Sequence, residues 1–344
     1  MKLKEIAAIA NVSPSTISLV INGRDGVSYE KRKQITKLLN DYGYEVPAMP
    51  PKDAPPVGGN KSIRFIKFKR HAMLVDGNPG FVNSIVDAIE IECRRQRYVL
   101  QMTSCSNEQL PGIIEAIREE PAAGILLLGT ELSDVEISML PNFSVPMVVI
   151  DNYLPFQDFN CITMNNREAI FRSVEYLASL GHSRIGFLAN ALASNNCNER
   201  RMAFQSALVQ QGLAYDGQLV FEVHPTPDGA YQSVHTLLEQ GARFPSALVA
   251  NNDSIALGAI KAFKEFSIRV PEDISIVGFD NIPFSGLSDP PLTTMEVSCK
   301  EMGIWSVRLL CDLIRYPFSA ITKMQISTRL VVRSSTAPFR CAEA

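Results

Sequence analysis

The sequence predicts an all-α helix-turn-helix head joined to an α/β body that contains two parallel, doubly wound sheets. Three observations predict this division of the 344 residues. Residues 1–46 carry three short helix patterns, residues 47–61 are rich in proline and glycine, and residues 62–338 alternate apolar runs with amphipathic helices. Alternating strands and helices are typical of parallel sheets covered by helices, and two series of similar size predict two lobes.

Three helix patterns account for the head. The first, LKEIAAIA (3–10), and the third, which follows Ser28 and ends near Gly43, each place apolar residues on one face. The second, PSTISLVIN, follows Ser13, a good N-cap, and opens with Pro14, whose missing N–H is harmless in a first turn. Two short helices joined by a tight turn, with a third packed on them, form the helix-turn-helix layout, in which the second helix enters the major groove of DNA.

Short polar side chains are expected on the outer face of the second helix and at its start. The candidate DNA-binding residues are Ser13, Pro14, Ser15, Thr16, Ser18, Leu19 and Asn22. Short hydroxyls and an amide suit phosphate oxygens, although small polar residues are equally common on a solvated helix. The charge distribution favours DNA binding. Residues 1–70 carry a net charge of +7 and the remaining residues a net charge of −10. A basic head on an acidic body is typical of a head that binds a polyanion.

The junction between head and body predicts an extended linker. Residues 47–61 contain five prolines, and two adjacent pairs of them remove backbone donors and clash with a preceding helical turn. Gly58 and Gly59 then allow the chain to swivel. No helix is therefore predicted at this hinge between head and body.

Short apolar runs mark the strands of the body. The first series contains IRFIKF, YVLQMTS, GILLLG and VPMVVID, and the second contains RIGFLA, LVFEV, SALVA and ISIVGFD. Amphipathic helices lie between them. The helix NREAIFRSVEYLASLGH opens the second series and ends at Gly181, a residue type suited to a helix C-terminus.

Polar residues follow several of these strands, where open α/β sheets bind ligands. The candidates visible in the pattern are Asn78, Phe81, Asp151, Arg200, Asp253 and Asp280. Carboxylates accept hydrogen bonds from pairs of hydroxyls, arginine donates to oxygens, and an aromatic face stacks on C–H surface, which together suit a polyhydroxylated ligand. Each Asp or Asn could instead cap a helix, but a set that converges between two lobes favours a ligand site.

Several other classes of function are disfavoured. The chain lacks GxSxG, GxxxxGK[ST] and a GxGxxG after the first strand, so no enzyme activity is expected, and His182 is interpreted as a helix-end cation or cap. Seven cysteines without a CxxC pair and only four histidines predict reduced thiols in the cytoplasm, with no metal and no cofactor. No apolar run suits a membrane helix, and Glu5 and Asn11 interrupt the apolar start, which disfavours a signal peptide.

Two long stretches resemble the lactose-repressor/galactose-repressor (LacI/GalR) family. KEIAAIANVSPSTISLVINGRDGVSYEKRKQITKLLNDYGYEVP is similar to its DNA-binding domain, and NNDSIALGAIKAFKEFSIRVPEDISIVGFDNIPFSGLSDPPLTTMEVSCKEMG is similar to its effector domain. The resemblance implies the fold of type I periplasmic binding proteins, in which the chain crosses between the lobes three times. It implies lobe 1 at about 62–160 and 294–320, and lobe 2 at about 162–290 and 324–338.

The resemblance also implies roles for single residues. The family reads base edges at the positions of Pro14, Ser15 and Leu19, and touches phosphates at Thr16, Ser18 and Asn22. It binds effectors at the positions of Asp151, Arg200, Asn252, Asp253 and Asp280. Two departures stand out: leucine replaces the family's usual arginine at position 19 and offers only apolar contact, for example to a thymine methyl, and the proline-rich linker replaces the family's hinge helix.

We therefore expect a sequence-specific transcription regulator, most simply a repressor, that binds a near-palindromic operator as a homodimer because one head reads only a half-site. A small molecule between the lobes would change their closure and hence the affinity for the operator. A sugar or sugar derivative is the expected effector; a purine, a nucleoside or a sugar phosphate stays open, as does the direction of the response. Two alternatives are a free-standing solute-binding protein and a sensor that has lost operator binding.

Overall fold

The computed structural model describes residues 3–21, 27–42, 44, 62–141, 143–316 and 320–340. Within them the chain forms two compact units, a helical head and an α/β body, which are described separately. Asn22 and the linker at 47–61 lie outside the described residues, so what the sequence predicts for them stays a prediction. No helix within the described ranges is both long and apolar enough to cross a membrane.

The head is a three-helix unit. Its helices are α1 (Leu3–Ile9), α2 (Pro14–Ile21) and α3 (Tyr29–Asp41). All three contribute to one buried apolar cluster of Ile6, Ala7, Ala10, Ile17, Val20, Ile35 and Leu39. The turn into α2 passes through Asn11, whose φ of 51° asparagine tolerates. The N–H of Thr16 donates to Ser13 Oγ at 3.2 Å, which confirms Ser13 as the cap of α2.

The first sheet of the body is parallel throughout. Its strands are β1 (Ser62–Lys69), β2 (Val99–Ser106), β3 (Gly124–Leu128), β4 (Met147–Ile150), β5 (Asn160–Met164) and β11 (Lys323–Ile326). They lie in the order β11-β5-β4-β3-β1-β2. The helices of this lobe are α4 (Pro79–Arg95), α5 (Leu110–Glu119), α6 (Asp134–Met139) and α11 (Cys299–Arg315). Every residue of β3 and β4 is buried, as continuous apolar runs predict for strands covered on both faces.

The second sheet repeats this plan with one antiparallel edge. Its strands are β6 (Ile185–Asn190), β7 (Val220–Val223), β8 (Ala247–Ala250), β9 (Ser275–Asp280), β10 (Thr293–Val297) and β12 (Thr328–Val331). Their order is β12-β10-β9-β8-β6-β7, with β12 antiparallel to β10. The helices are α7 (Asn166–Ser179), α8 (Asn195–Gln210), α9 (Pro227–Glu239) and α10 (Asp253–Glu265). Two doubly wound sheets are therefore confirmed, and the second is mixed rather than purely parallel.

The chain crosses between the sheets three times, after β5, after β10 and after β11. The predicted lobe boundaries are wrong for these three strands. The prediction places most of β5 and β11 in lobe 2 and β10 in lobe 1, whereas β5 and β11 pair within the first sheet and β10 pairs with β9. Each crossing falls later than expected because a strand satisfies its backbone hydrogen bonds in one sheet before the chain leaves.

His182 has a structural role that differs from the predicted helix-end cation. Its Nδ1 lies 2.9 Å from Ser246 Oγ and its Nε2 lies 3.1 Å from the carbonyl oxygen of Ala337. Burial lowers the pKa of this imidazole. A neutral ring that donates from Nε2 to the carbonyl and accepts at Nδ1 from the serine satisfies both contacts. The ring therefore ties three distant segments of lobe 2 together.

Candidate functional site

One surface of the head carries the described residues that were predicted to contact DNA. They are exposed or half-buried at the start and on the outer face of α2: Ser13, Pro14, Ser15, Thr16, Ser18 and Leu19. Ser13 Oγ lies 2.6 Å from Ser15 Oγ and 2.8 Å from Thr16 Oγ1, so three hydroxyls cluster at the first turn of the helix. Hydroxyls beside the N–H groups of a helix N-terminus suit phosphate oxygens. Contact with DNA stays a prediction here.

A cavity lies between the two lobes, at the carboxyl ends of strands from both sheets. Six of the seven residues predicted to bind a ligand line it: Asn78, Phe81, Asp151, Arg200, Asn252 and Asp280. Six other polar residues line it as well and are not among the residues predicted from the sequence: Thr130, Asn190, Ser194, Asn196, Cys197 and Asn251. Three of these six, Thr130, Asn190 and Asn251, end or follow a strand, so the rule that selected the aspartates could have found them too.

Asp253 is the predicted ligand residue that the structure keeps out of the cavity. Its Oδ1 accepts from Thr294 Oγ1 at 2.5 Å, and its Oδ2 accepts from the N–H of Ile282 at 2.9 Å. A Cβ on Gly278 would lie 2.2 Å from Oδ1, so only glycine leaves room for this carboxylate. Because the first turn of α10 directs the side chain towards β9 and β10, Asp253 braces the loop after β9 and does not line the cavity with the other predicted ligand residues.

Asp151 follows β4 and is buried in the wall of the cavity. It has a φ of 60°, so the chain turns sharply at the end of the strand. Its Oδ2 accepts from Thr130 Oγ1 at 2.6 Å and its Oδ1 accepts from Asn196 Nδ2 at 2.9 Å. Burial raises the pKa of this carboxyl to about 6, against the hydrogen bonds and the nearby charge of Arg200, which lower it.

Asp280 ends β9 and faces Asp151 across the cavity, close enough for their charges to interact. Its φ of 111° is a conformation that non-glycine residues rarely adopt, and such backbone conformations are concentrated at binding sites. Its Oδ2 accepts from Asn78 Nδ2 at 2.8 Å. Burial raises the pKa of Asp280 to about 7; the charge of Arg200 lowers it and that of Asp151 raises it.

Arg200 lies in the second turn of α8 and is held rigidly. Its Nε donates to Asn166 Oδ1 at 2.8 Å, and its Nη1 donates to the carbonyl of Asn251 at 2.6 Å. The guanidinium also stacks on Phe279, with its Cζ 3.6 Å from the ring centroid. A guanidinium fixed in this way presents its remaining N–H groups to the cavity with little loss of side-chain freedom.

Hydrogen bonds join the lobes around the cavity. The amides that donate to Asp151 and Asp280 come from the opposite lobe in each case. A third bond joins the lobes where Asn195 Nδ2 donates to Asn152 Oδ1 at 2.9 Å. The polar residues that face the cavity therefore also hold the lobes together, so a ligand that exchanges hydrogen bonds with them changes the balance between open and closed lobes.

A buried carboxylate organises the loop between β1 and α4, which carries Asn78. Glu131 Oε2 accepts from the N–H groups of Arg70, His71 and Ala72 at 2.7, 2.8 and 3.0 Å. Its Oε1 accepts from two further backbone N–H groups of the loop, those of residues 74 and 75, at 2.7 and 3.3 Å. No local pattern indicates this role, because a glutamate after a strand resembles any surface carboxylate until the loop wraps round it.

The free energy of unfolding of the ligand-free body should fall as the pH rises from about 4 to about 8. In the unfolded chain an aspartate has its ordinary pKa of 3.8 and loses its proton early in this pH range. In the folded protein Asp151 and Asp280 keep their protons up to about pH 6 and about pH 7. Between the unfolded and the folded pKa of each group, the folded state binds more protons than the unfolded state. The free energy of unfolding therefore falls by on the order of 1.4 kcal/mol per pH unit for each group. Urea unfolding followed by the fluorescence of Trp305, the single tryptophan, measures this; equal stability at pH 5 and pH 8 would contradict it.

Comparison with known proteins gives the same division of the chain. Residues 2–46 match the family described as bacterial regulatory proteins, lacI family, and residues 174–336 match the periplasmic binding protein-like domain. The HTH-type transcriptional repressor PurR of Pasteurella multocida (strain Pm70) is 30% identical over 337 residues, which cover 97% of this chain and 98% of the relative.

Two solved structures show the same fold. The lac repressor dimer bound to operator and the anti-inducer ONPF has a TM-score of 0.71 at 23% identity, covering 98% of this chain and 99% of its own. The transcriptional regulator CelR–cellobiose complex has a TM-score of 0.70 at 24% identity, covering 97% and 99%. The chain therefore belongs to the LacI family of bacterial regulatory proteins, and it is a DNA-binding transcriptional regulator under small-molecule control rather than an enzyme.

Proposed function

We propose that this regulator represses transcription as a homodimer on a near-palindromic operator, and that its effector is a neutral polyhydroxylated compound, a sugar or sugar derivative. One helix-turn-helix head reads only a half-site, so two heads related by a two-fold axis match a palindrome and double the contacts. The similarity to a lac repressor dimer on its operator supports this arrangement.

The observation that carries the effector class is the charge of the cavity wall. Two buried carboxylates, Asp151 and Asp280, face a single guanidinium, that of Arg200. An anionic ligand would meet both carboxylates in surroundings of low dielectric constant, where like charges repel strongly. Hydroxyls can donate to the carboxylates and accept from the guanidinium at once, so a neutral polyol matches the wall and a sugar phosphate matches it poorly.

Apolar side chains complete the match. Phe81 is buried in the cavity wall, and Leu74 and Met164 lie there with it. A pyranose or furanose ring presents C–H surface that packs on such groups, while its hydroxyl edge meets the polar wall. The CelR structure of the same fold is a complex with cellobiose, which supports a carbohydrate in this kind of cavity.

The surface of α2 supports two proposed kinds of contact with DNA, one with phosphates and one with base edges. Thr16 and Ser18, with Asn22, would contact phosphates and so position the head on any duplex. Pro14, Ser15 and Leu19 would contact base edges. Because Leu19 has no hydrogen-bond donor in its side chain, we expect a thymine methyl or another apolar edge at that position of the half-site.

Isothermal titration calorimetry with neutral and phosphorylated partners tests the proposed effector class. The probes are D-ribose, D-glucose, cellobiose and adenosine, with ribose 5-phosphate, glucose 6-phosphate and adenosine monophosphate as matched anions. We expect at least one neutral compound to bind, and its phosphorylated partner to bind at least tenfold more weakly, a difference of about 1.4 kcal/mol. Tighter binding of any phosphorylated compound than of its neutral parent would contradict the proposal.

A further inference from the structure

A buried amide donor without a partner lies in the wall of the cavity. Asn251 follows β8 directly and is only 2% exposed. Within the part of the chain that the structure describes, its Nδ2 has no hydrogen-bond partner. Most buried polar groups in folded proteins are paired, because an unpaired buried donor lowers stability. An unpaired donor that lines a cavity is therefore a sign that a ligand atom completes it.

Every other polar group of Asn251 is engaged. Its N–H donates to the carbonyl of Leu188 at 2.9 Å, and its carbonyl accepts from Arg200 Nη1 at 2.6 Å. Its Oδ1 accepts from Cys197 Sγ at 3.4 Å, and that sulfur accepts in turn from Asn190 Nδ2, also at 3.4 Å. This chain of contacts directs Oδ1 towards the thiol and leaves Nδ2 as the unpaired group of a residue that lines the cavity.

The position of Asn251 in the sheet is the place where doubly wound folds bind ligands. In the second sheet β6 is followed by β7 on one side, while β8 and then β9 lie on the other, so the order reverses between β6 and β8. The crevice beyond the carboxyl ends of such a strand pair is the usual ligand site. Asn190 ends β6 and Asn251 follows β8, with Cys197 between them.

The first sheet provides an internal comparison. Its order reverses between β1 and β3, and the backbone donors of the loop after β1 are satisfied there by the carboxylate of Glu131, from the loop after β3. Where the order of the first sheet reverses, the backbone N–H donors are thus paired with an acceptor from the protein itself, Glu131. At the other reversal point the protein leaves the Nδ2 of Asn251 unfilled.

We propose that Asn251 is a specificity-determining residue of the effector cavity, whose Nδ2 donates to a neutral oxygen of the effector, a hydroxyl, ring or carbonyl oxygen. The inference rests on the proposed function only in that an effector occupies this cavity. The acceptor is neutral because the carboxylates of Asp151 and Asp280 line the same space. An effector oxygen at this point would satisfy the donor and so favour the liganded state.

Thermal unfolding of the ligand-free protein, followed by Trp305 fluorescence, tests the donor directly. Asn251→Leu keeps the size of the side chain and removes the unpaired donor. We therefore expect the midpoint temperature of unfolding to rise by about 2 °C or more. Asn166→Leu is the matched control, because both ends of this buried amide are engaged, with Nδ2 donating to Asn196 and Oδ1 accepting from Arg200. That variant should unfold at a lower temperature. A midpoint that falls in Asn251→Leu as well would overturn the proposal.

Calorimetric titration of Asn251→Leu with D-ribose, D-glucose, cellobiose and adenosine tests the acceptor. Every compound that the wild type binds should lose at least tenfold in affinity. Unchanged affinity would overturn the assignment of the acceptor, whatever the unfolding temperature. If the wild type binds none of the four compounds, the proposed effector class fails, and the unfolding comparison still decides whether Asn251 carries an unpaired donor.

Discussion

Asp280→Asn should weaken effector binding by roughly 100-fold or more. The substitution keeps the shape of the side chain and removes the charge of the acceptor. Asn78 holds Oδ2 at 2.8 Å, which leaves Oδ1 to accept hydroxyls of the effector. A hydrogen bond to a charged group contributes about 1.5–3 kcal/mol. If two effector hydroxyls donate to the carboxylate, removing its charge lowers the binding free energy by about 3 kcal/mol or more, which is a factor of about 100 in affinity.

The same substitution should stabilise the ligand-free body at about pH 8. Burial disfavours the charged form of Asp280, and the charge of Asp151 disfavours it further. At a pH above its value of about 7 the carboxylate is ionised, and replacing it with a neutral amide removes both penalties. Weaker binding together with higher stability is the signature of a binding residue, because a side chain needed for folding would lower both.

Two measurements check the Asp280 prediction. Calorimetry with the neutral compounds named above gives the affinity, and urea unfolding followed by Trp305 fluorescence gives the stability. Asp289→Asn serves as the control, since Asp289 is an exposed aspartate 3.1 Å from Lys264 and away from the cavity, and it should change neither quantity. If Asp280→Asn binds as tightly as the wild type, Asp280 does not contact the effector.

Glu131→Gln should destabilise the body by about 3 kcal/mol or more. Five backbone N–H groups of the loop after β1 donate to this carboxylate, three to Oε2 and two to Oε1. Glutamine replaces one of these acceptors with an NH₂ group, so at least two of the five N–H groups face another donor instead. Each unsatisfied buried donor costs about 1–3 kcal/mol. The loss should also increase hydrogen exchange at residues 70–75.

Glu136→Gln is the matched control for this prediction. Glu136 is equally buried and lies five positions further on, and it pairs with the side chain of Arg70 on the same loop. Glutamine there keeps an acceptor for the N–H of Ser133, and Arg70 is partly exposed to water, so we expect a smaller loss than that of Glu131→Gln. Equal losses in urea unfolding for the two variants would show that Glu131 is not the group that holds the loop.

The chemistry of the cavity could be predicted only in part. Asp253 and Asp280 both follow strands of the second sheet, and nothing in their neighbours distinguishes them. The structure separates them, because Thr294, 41 positions along the chain, takes the carboxylate of Asp253 away from the cavity. Asn251 and Asn252 form a similar pair: the second caps α10 by accepting from the N–H of Ile255, while the first keeps a donor for the cavity.

Local sequence patterns are enough to predict the helix-turn-helix head, the alternation of strands and helices, and the strand ends at which polar residues gather. These features depend on residues that are close in the chain: apolar spacing, caps such as Ser13 at α2, and breaks in the pattern. The tertiary fold decides which sheet receives β5, β10 and β11, which partners His182 contacts, and which of several polar residues line the cavity. Those outcomes depend on hydrogen-bond partners and burial supplied by distant segments, which no local pattern contains.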